Sequence, residues 1–493
     1  MRLLPRPSVY EINTAVWLHR LGRDRGRPLS LGDVPGTAWD AIAALPVDAV
    51  WLMGVWRRSP AGLRIALENA ELDAANRAAL ADLAPEDVIG SPYCVRDYVV
   101  DERFGGPDAL AVARSALAER GLGLILDYVP NHVAPDHPWT TARPEALLRG
   151  SEDELRDHPD AFLRAGAGGV FAKGRDPYFP PWPDVVQLNA FAPALREAVA
   201  ETLIGIARQC DGLRCDMAML MTNEVFARTW GERAGPVPDA EYWPALIAGT
   251  KAAHPDFAFI AEAYWDMEWA LQQQGFDLCY DKRLYDRLAH DPAEAVRGHL
   301  QADADYQERL IRFIENHDEP RAAATFEPEQ ARAAAVAMST LQGARLYHDG
   351  QLEGHHTRIP VFLGRGPDEP ADGELRVFYE RLLRAVAESD LRDGDWRLCD
   401  CVGWPDNDSH RRLVAWGWGG PAARHLVAVN LSDAPAQARV RLPWADLGGR
   451  QWALTDRLDG RGFARDGDEI AADGLYVELG PWESHFLACA PAG

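Results

Sequence analysis

Lysine is almost missing from this chain: it stands only at positions 173, 251 and 282, every other basic residue is arginine, and no cluster of basic side chains stands out. The 51 Lys and Arg residues face 75 Asp and Glu, which leaves a formal charge of −24 over 493 residues. An excess of that sign repels nucleic-acid backbones and anionic lipid, so both are set aside as partners and a neutral ligand is expected. Paired cysteine is lacking too. The seven cysteines, at 94, 210, 215, 279, 399, 401 and 489, are odd in number and scattered, without a C-x-x-C spacing, so neither a disulfide framework nor a zinc site is indicated. Met1 to Tyr10 holds no apolar core of signal-peptide length and no run approaches a membrane span, which makes the cytoplasm the expected compartment. Internal repeats, low-complexity tracts and a glycine-rich dinucleotide loop are likewise absent.

What is present is ordinary globular material in ample amount. Hydrophobic residues at 47% and charged residues at 26% argue against long disordered or fibrous segments, and the length calls for a large domain with at least one smaller one. A strand-like run covers Ser8 to Trp17, a helix Ala38 to Ala44, and Val47 to Trp56 is an almost continuous apolar run of the kind that buried parallel strands produce. One or two helices are expected in the alanine- and acid-rich stretch 57–90, and another from Pro107 to Arg120 with Gly121 as its stop. Further strands are expected at Leu122 to Val129, Gly212 to Met219, Phe257 to Ala263, Phe276 to Tyr280, Leu310 to Ile314 and Ala344 to Tyr347, alternating with helices such as Pro193 to Gln209, Pro328 to Leu341 and Glu374 to Ser389.

The rhythm breaks only between Ala134 and Asn189, where prolines and glycines leave little room for regular structure. About eight strand–helix units over some 390 residues fit an α/β fold of the (β/α)8 TIM-barrel kind better than an open doubly wound sheet. The expected organisation is a barrel over 1–133 and 191–390, an inserted subdomain at 134–190 after strand 3, and an antiparallel β domain, a β-sandwich, at 391–493. Short alternating runs at 425–431 and 474–480, set between turn residues, are the signal for that last part.

In such a barrel the working residues lie at the C-terminal ends of the strands. Four ends carry polar clusters: Asp127 to His132, Arg214 with Asp216, Glu262, and Glu315 to Asp318. Residues two apart on a strand share a face, so Arg214 is placed to hold the carboxylate of Asp216 ionised and fixed in direction. Three carboxylates, Asp216, Glu262 and Asp318, are expected to converge from different strands, where repulsion and burial separate their pKa values and hence their roles. A pair of carboxyls roughly 5 Å apart is what a retaining glycosidase uses, one as nucleophile and the other as acid and then base.

The segments DYVPNHV, GLRCDMAM, FIAEAYW and FIENHD resemble, in order, the four signature segments of the alpha-amylase superfamily, glycoside hydrolase family 13. The resemblance extends to SPYCVRDYVVDERFGG at 91–106, to QLN at 187–189 and loosely to GARLYHDG at 343–350, and so covers the chain from Val9 to about Ser389. It implies a retaining hydrolase of α-glucosides working through a covalent glycosyl-enzyme intermediate, with a transglycosylase, isomerase or phosphorylase on the same intermediate, or a non-catalytic carbohydrate-binding barrel, as the alternatives. It also implies roles: Asp216 as nucleophile, Glu262 as general acid and base, Asp318 as stabiliser, and Arg214 as the group orienting Asp216. His132 and His317 would bond hydroxyls of the sugar being cleaved, Tyr93 would stack on it, Asp127 would support the site from behind, and Trp265 and Trp182 are candidate sugar platforms.

The chain departs from the family pattern at several points. Cys94 stands where many exo-acting members have an aspartate, and Met219 and Leu220 replace the Lys-His of many amylases. Asn131 remains as a possible calcium ligand, but Gln187-Leu188-Asn189 lacks the acid often found nearby, so no metal and no cofactor is expected. The adjacent His355 and His356 are read as exposed loop residues rather than ligands.

Overall fold

The computed structural model describes residues 4–420 and 423–492. Among these, eight parallel strands close into a barrel: β1 (Ser8–Asn13), β2 (Ala49–Met53), β3 (Gly123–Tyr128), β4 (Gly212–Cys215), β5 (Ala258–Ala261), β6 (Leu278–Tyr280), β7 (Leu310–Arg312) and β8 (Ala344–His348). Each strand lies beside its neighbours in sequence, and nearly every residue in them is buried, as continuous apolar strands with helices outside require. The chain divides into two compact units, the first comprising Val9–Tyr280 with Arg358–Asp368, the second Leu4–Ser8, Asp281–Thr357 and the chain from Glu369 onward.

In the first unit several expected strands are shorter than their apolar runs, the first two barrel strands among them. The run from Ser8 to Trp17 is a strand only to Asn13, whose side chain accepts from the N–H of Val16 at 3.4 Å and so caps a helix over Thr14–Arg25. Val47 to Trp56 likewise leaves the barrel at Gly54, which takes φ 79° and has room for no side chain, a Cβ there falling 2.6 Å from Pro92 Cβ. Trp56–Arg58 then pairs antiparallel with Val95–Val100, outside the barrel. Helices Pro60–Glu68 and Ala70–Ala79 fill the next stretch, and Gly106–Ala118 leads into β3.

The insertion after β3 contains short elements only. His132–Val133 pairs with Val186–Gln187, and Phe162–Ala165 forms a hairpin with Gly169–Ala172. Lys173, at the end of that hairpin, donates its amine to the carbonyl of Pro159 at 2.9 Å.

In the second unit the helix Pro328–Thr340 precedes β8, and Gly373–Ala387 leads to two antiparallel sheets. One has six strands, in the order Asp395–Cys399, Leu413–Gly419, Arg424–Asn430, Ser484–Pro491, Gln451–Asp456, Gly462–Asp466; the other has Cys401–Val402, Ala436–Val440 and Leu475–Leu479. Leu413, Leu426, Ala438, Val440, Trp452 and Val477 share one core between them. Strand Leu413–Gly419 also presents Trp416 and Trp418, two apart and so on one face, and both indoles donate to the carbonyl of Thr340 at the end of the preceding helix, at 3.1 and 2.8 Å.

Candidate active site

Parallel register sets the first layer of the site. Arg214 on β4 lies level with Asp127 on β3 and Ile260 on β5, so its side chain rises among acids at the ends of three strands. The guanidinium is 1% exposed. Its Nη1 lies 2.7 Å from Asp216 Oδ1, its Nη2 2.7 Å from Glu262 Oε1, and Asp127 Oδ1 stands 4.0 Å away. Trp51, Tyr93 and Tyr280 surround it with ring centroids at 5.3, 5.3 and 5.7 Å, and Nε donates to the Tyr280 hydroxyl at 3.3 Å. Burial opposes the charge, but Glu262, Tyr93, Tyr280 and Asp216 outweigh it and hold Arg214 protonated well above its ordinary range.

Arg214 therefore serves two carboxylates, where sequence reasoning gave it Asp216 alone. Asp216 lies one residue past β4, its N–H donating to the carbonyl of Tyr128 at 2.8 Å, and Glu262 one residue past β5, its N–H donating to the carbonyl of Cys215 at 3.0 Å. The expected strand to Met219 ends at Cys215 because Met217 turns left-handed, at φ 42°, into a short 3-10 helix over Ala218–Met221. That turn aims the Met217 N–H at Glu262 Oε2, 2.5 Å away, while the Tyr264 hydroxyl donates to Glu262 Oε1 at 3.0 Å. Glu262 thus meets donors on both oxygens, whereas Arg214 engages Asp216 through Oδ1.

Behind this layer Asp127 accepts from Trp51 Nε1 at 3.2 Å and from the Gly54 N–H at 2.8 Å, which fixes its carboxylate on the β2 side. His132 is buried, and burial lowers its pKa against the opposing pull of Asp216, so the imidazole is held neutral. The Trp182 ring lies against it at 5.1 Å, and Trp265, at φ 60° with Asp266 at 61°, meets Tyr178 of the insertion edge-on at 4.8 Å.

Asp318 and His317 follow β7, with His317 Nε2 3.0 Å from Asp318 Oδ2 and the Asp318 side chain 42% exposed. Asn316 shapes this turn by accepting from the N–H groups of Asp318 and Glu319, both at 2.9 Å. Glu315 anchors it from below, accepting from Arg321 at 2.5 Å and from the Ala322 N–H at 2.8 Å, with His348 Nδ1 at 3.2 Å. Burial would raise the Glu315 carboxyl, yet Arg321 and His348 bring it below the usual carboxylate range.

Cys94 offers nothing polar to a ligand. Its thiol is buried with Ala134, Val185 and Trp182, donates to the Asp184 carbonyl at 3.0 Å, and is pushed well up by burial. Asp184 itself is buried, and burial pushes its carboxyl up to about 6. At Asn131 the side-chain oxygen accepts from Gln187 Nε2 at 2.8 Å, and its amide faces Gln187 Oε1 at 3.3 Å. A pair of amides closed on each other does not suit a hard dication, and among the described residues no group of three or more His, Cys, Asp or Glu side chains is placed to hold a metal. His355 is half-buried and His356 exposed.

Tyr264, two residues beyond Glu262, was findable from its spacing on a strand end. Tyr280 and the Met217 N–H carry no such signal, the first because it comes from another strand and the second because a left-handed methionine has no sequence signature.

No family model matches the chain. An alpha-amylase, MalA, from Haloarcula japonica is 27% identical over 376 residues, 73% of this chain and 50% of that protein. An alpha-1,4-glucan:maltose-1-phosphate maltosyltransferase from Rhodospirillum rubrum is 26% identical over 412 residues, 76% of this chain and 53% of that protein. The chain thus spans about half the length of these curated relatives. Among solved structures, an alpha-amylase from Geobacillus thermoleovorans complexed with acarbose matches with a TM-score of 0.67 at 17% identity, covering 99% of each chain, a likeness of fold. In fold the chain is thus similar to an alpha-amylase, and its sequence relatives include an alpha-amylase and a maltosyltransferase, which together support the alpha-amylase superfamily.

Proposed function

We propose that the protein is a retaining hydrolase of α-glucosides that works by double displacement. The observation that carries this reading is the single buried guanidinium of Arg214 joining Asp216 and Glu262 at adjacent strand ends. Arg214 occupies Asp216 Oδ1, so Oδ2 is the oxygen that attacks the anomeric carbon. As that bond forms, the glycosidic bond breaks and its oxygen takes a proton from Glu262; water then attacks the anomeric carbon, gives its proton to Glu262, and Asp216 departs. For Glu262 to carry that proton, at least one donor among Arg214, Met217 and Tyr264 yields as substrate enters. Asp318 and His317 grip sugar hydroxyls in this reading, His132 bonds the cleaved sugar as a neutral imidazole, Tyr93 stacks on it and Asp127 braces Arg214. No step passes through a metal ion.

Transfer of the sugar to an acceptor other than water is the second reading, favoured by the likeness to a maltosyltransferase. The cytoplasm is the proposed compartment, supported by seven cysteines that are all free thiols; among the described residues no helix is long and apolar enough to cross a membrane.

The test is Asp216→Asn assayed on maltooligosaccharides and aryl α-glucosides. Turnover is expected to fall by roughly 10³-fold or more, and a fluorinated glycosyl donor to leave a covalent adduct on Asp216 of the unaltered protein. Unchanged turnover in the variant would overturn the assignment, and transfer products dominating at low acceptor concentration would favour the second reading.

A further inference from the structure

A cavity of about 340 Å³ lies in the second unit, within the roughly 300–1,000 Å³ range of small-ligand sites, and none of the residues assigned above to catalysis lines it. Phe326, Ala331 and Leu375 give it apolar walls, and two side chains that are each 2% exposed, Gln351 and Tyr379, bring polar atoms to it.

Those polar atoms divide into spent and unspent. Gln351 Nε2 donates to the Tyr379 hydroxyl at 3.0 Å and its Oε1 accepts from the His348 N–H at 3.1 Å, so both ends of the amide are used. Tyr379 has its own proton left: burial raises its pKa, which keeps the O–H intact, and among the described residues that O–H meets no acceptor. Arg332 is a second donor in hand, its guanidinium over the Phe378 ring at 5.8 Å and its Nε shielded from water with no hydrogen-bond partner among the described residues. The two carboxylates of the lining, by contrast, serve backbone. Glu369 accepts from the N–H groups of His356 at 2.7 Å and Thr357 at 3.2 Å, and Asp372 caps the helix Gly373–Ala387 by accepting from Glu374 and Leu375 at 2.9 and 3.0 Å. A shielded donor left without an acceptor is a cost that a ligand can remove.

The same lining reaches the turn that carries His317 and Asp318. Ala322, in the cavity wall, donates its N–H to Glu315 Oε2 at 2.8 Å, and Gln351 holds His348, whose Nδ1 stands 3.2 Å from Glu315 Oε1. Glu315 anchors that turn, so two residues that a ligand would touch also hold its anchor.

We propose that this cavity is a regulatory site for an uncharged, mainly apolar molecule with one carbonyl-type acceptor, which Tyr379 and Arg332 bond, and that its binding steadies the turn from Glu315 to Asp318. An apolar lining favours an apolar guest, and at roughly 30 Å³ apiece the space holds about ten non-hydrogen atoms. Two carboxylates against one guanidinium, on a chain of charge −24, disfavour an anionic head.

The experiment is calorimetric titration of the full chain with 4-phenylbutan-2-one and with its anionic counterpart 4-phenylbutyrate, beside hydrogen exchange of the segment 313–319. The ketone is expected to bind with a Kd of roughly 0.1–1 mM and the carboxylate more weakly, and exchange in the segment to slow about threefold or more at saturating ketone. Arg332→Met and Tyr379→Phe are each expected to weaken the ketone about two- to tenfold, and Ala331→Leu, which fills the space, to abolish its binding. Arg332 makes no hydrogen bond whose loss would damage the fold, so Arg332→Met keeps the test sound even where Tyr379→Phe unsettles Gln351. No binding of the ketone, tighter binding of the carboxylate, unchanged affinity in Arg332→Met, or unchanged exchange of the turn would each overturn the proposal. Neither readout is turnover: a protein that binds the ketone in this way and turns over no α-glucoside would leave this site standing and remove the catalytic reading, and an active enzyme that binds no ketone would do the reverse.

Discussion

Arg214 is a buried cation whose two carboxylate partners carry opposite duties in the proposed reaction. Removing one partner of a buried ion pair costs about 3–5 kcal/mol, because the remaining charge has no water to turn to. Arg214→Lys keeps the charge but, as a compact ammonium in place of a planar fork, cannot reach Asp216 and Glu262 in the same geometry. The expected result is a fall in kcat of at least about a hundredfold with a lowered melting temperature, checked by steady-state kinetics beside a thermal melt. Asp184 makes a prediction of opposite sign. Its carboxyl titrates near 6 in the fold against 3.8 in the unfolded chain, so the unfolded state binds fewer protons between those values and stability falls as pH rises through that window. At pH 7.5 the penalty is about 3 kcal/mol at 1.36 kcal/mol per unit. Asp184→Asn should therefore stabilise the protein at pH 7.5 and only about half as much at pH 5, as read by denaturant unfolding at both.

At the scale of elements, the barrel was largely legible because buried parallel strands write themselves as apolar runs, and all eight strands lie where those runs predict. Their ends were less so. An apolar run does not stop at a cap, and Asn13 ends β1 by serving the next helix, just as Gly54 ends β2 by a positive φ. The carboxylates of the site were readable from type and spacing; the donors that set their directions were not, since the Met217 N–H is backbone and Tyr280 arrives from β6. The docking of the strand Leu413–Gly419 on the helix Pro328–Thr340 was equally hidden. Two indoles share the Thr340 carbonyl, so either alone keeps that buried acceptor paired. Trp416→Phe and Trp418→Phe should each cost little, and the double variant more than their sum by about 1–3 kcal/mol, a coupling that a double-mutant cycle in denaturant measures directly.

For the molecule as a whole, the near-absence of lysine has a consequence in covalent chemistry. Lys251 and Lys282 are ion-paired to Asp277 at 2.6 Å and Asp286 at 2.5 Å, whereas Lys173 donates to the carbonyl of Pro159 at 2.9 Å. Burial lowers the Lys173 pKa, so its amine is unprotonated in a larger fraction at mild pH than an ordinary lysine's. An acylating reagent used near pH 7.5 should therefore mark Lys173 ahead of the other two side chains, which peptide mapping by mass spectrometry would show. The inserted hairpin beside His132 and Trp182 then becomes an addressable side-chain position, where a fluorophore could report a saccharide entering the barrel without any engineered cysteine.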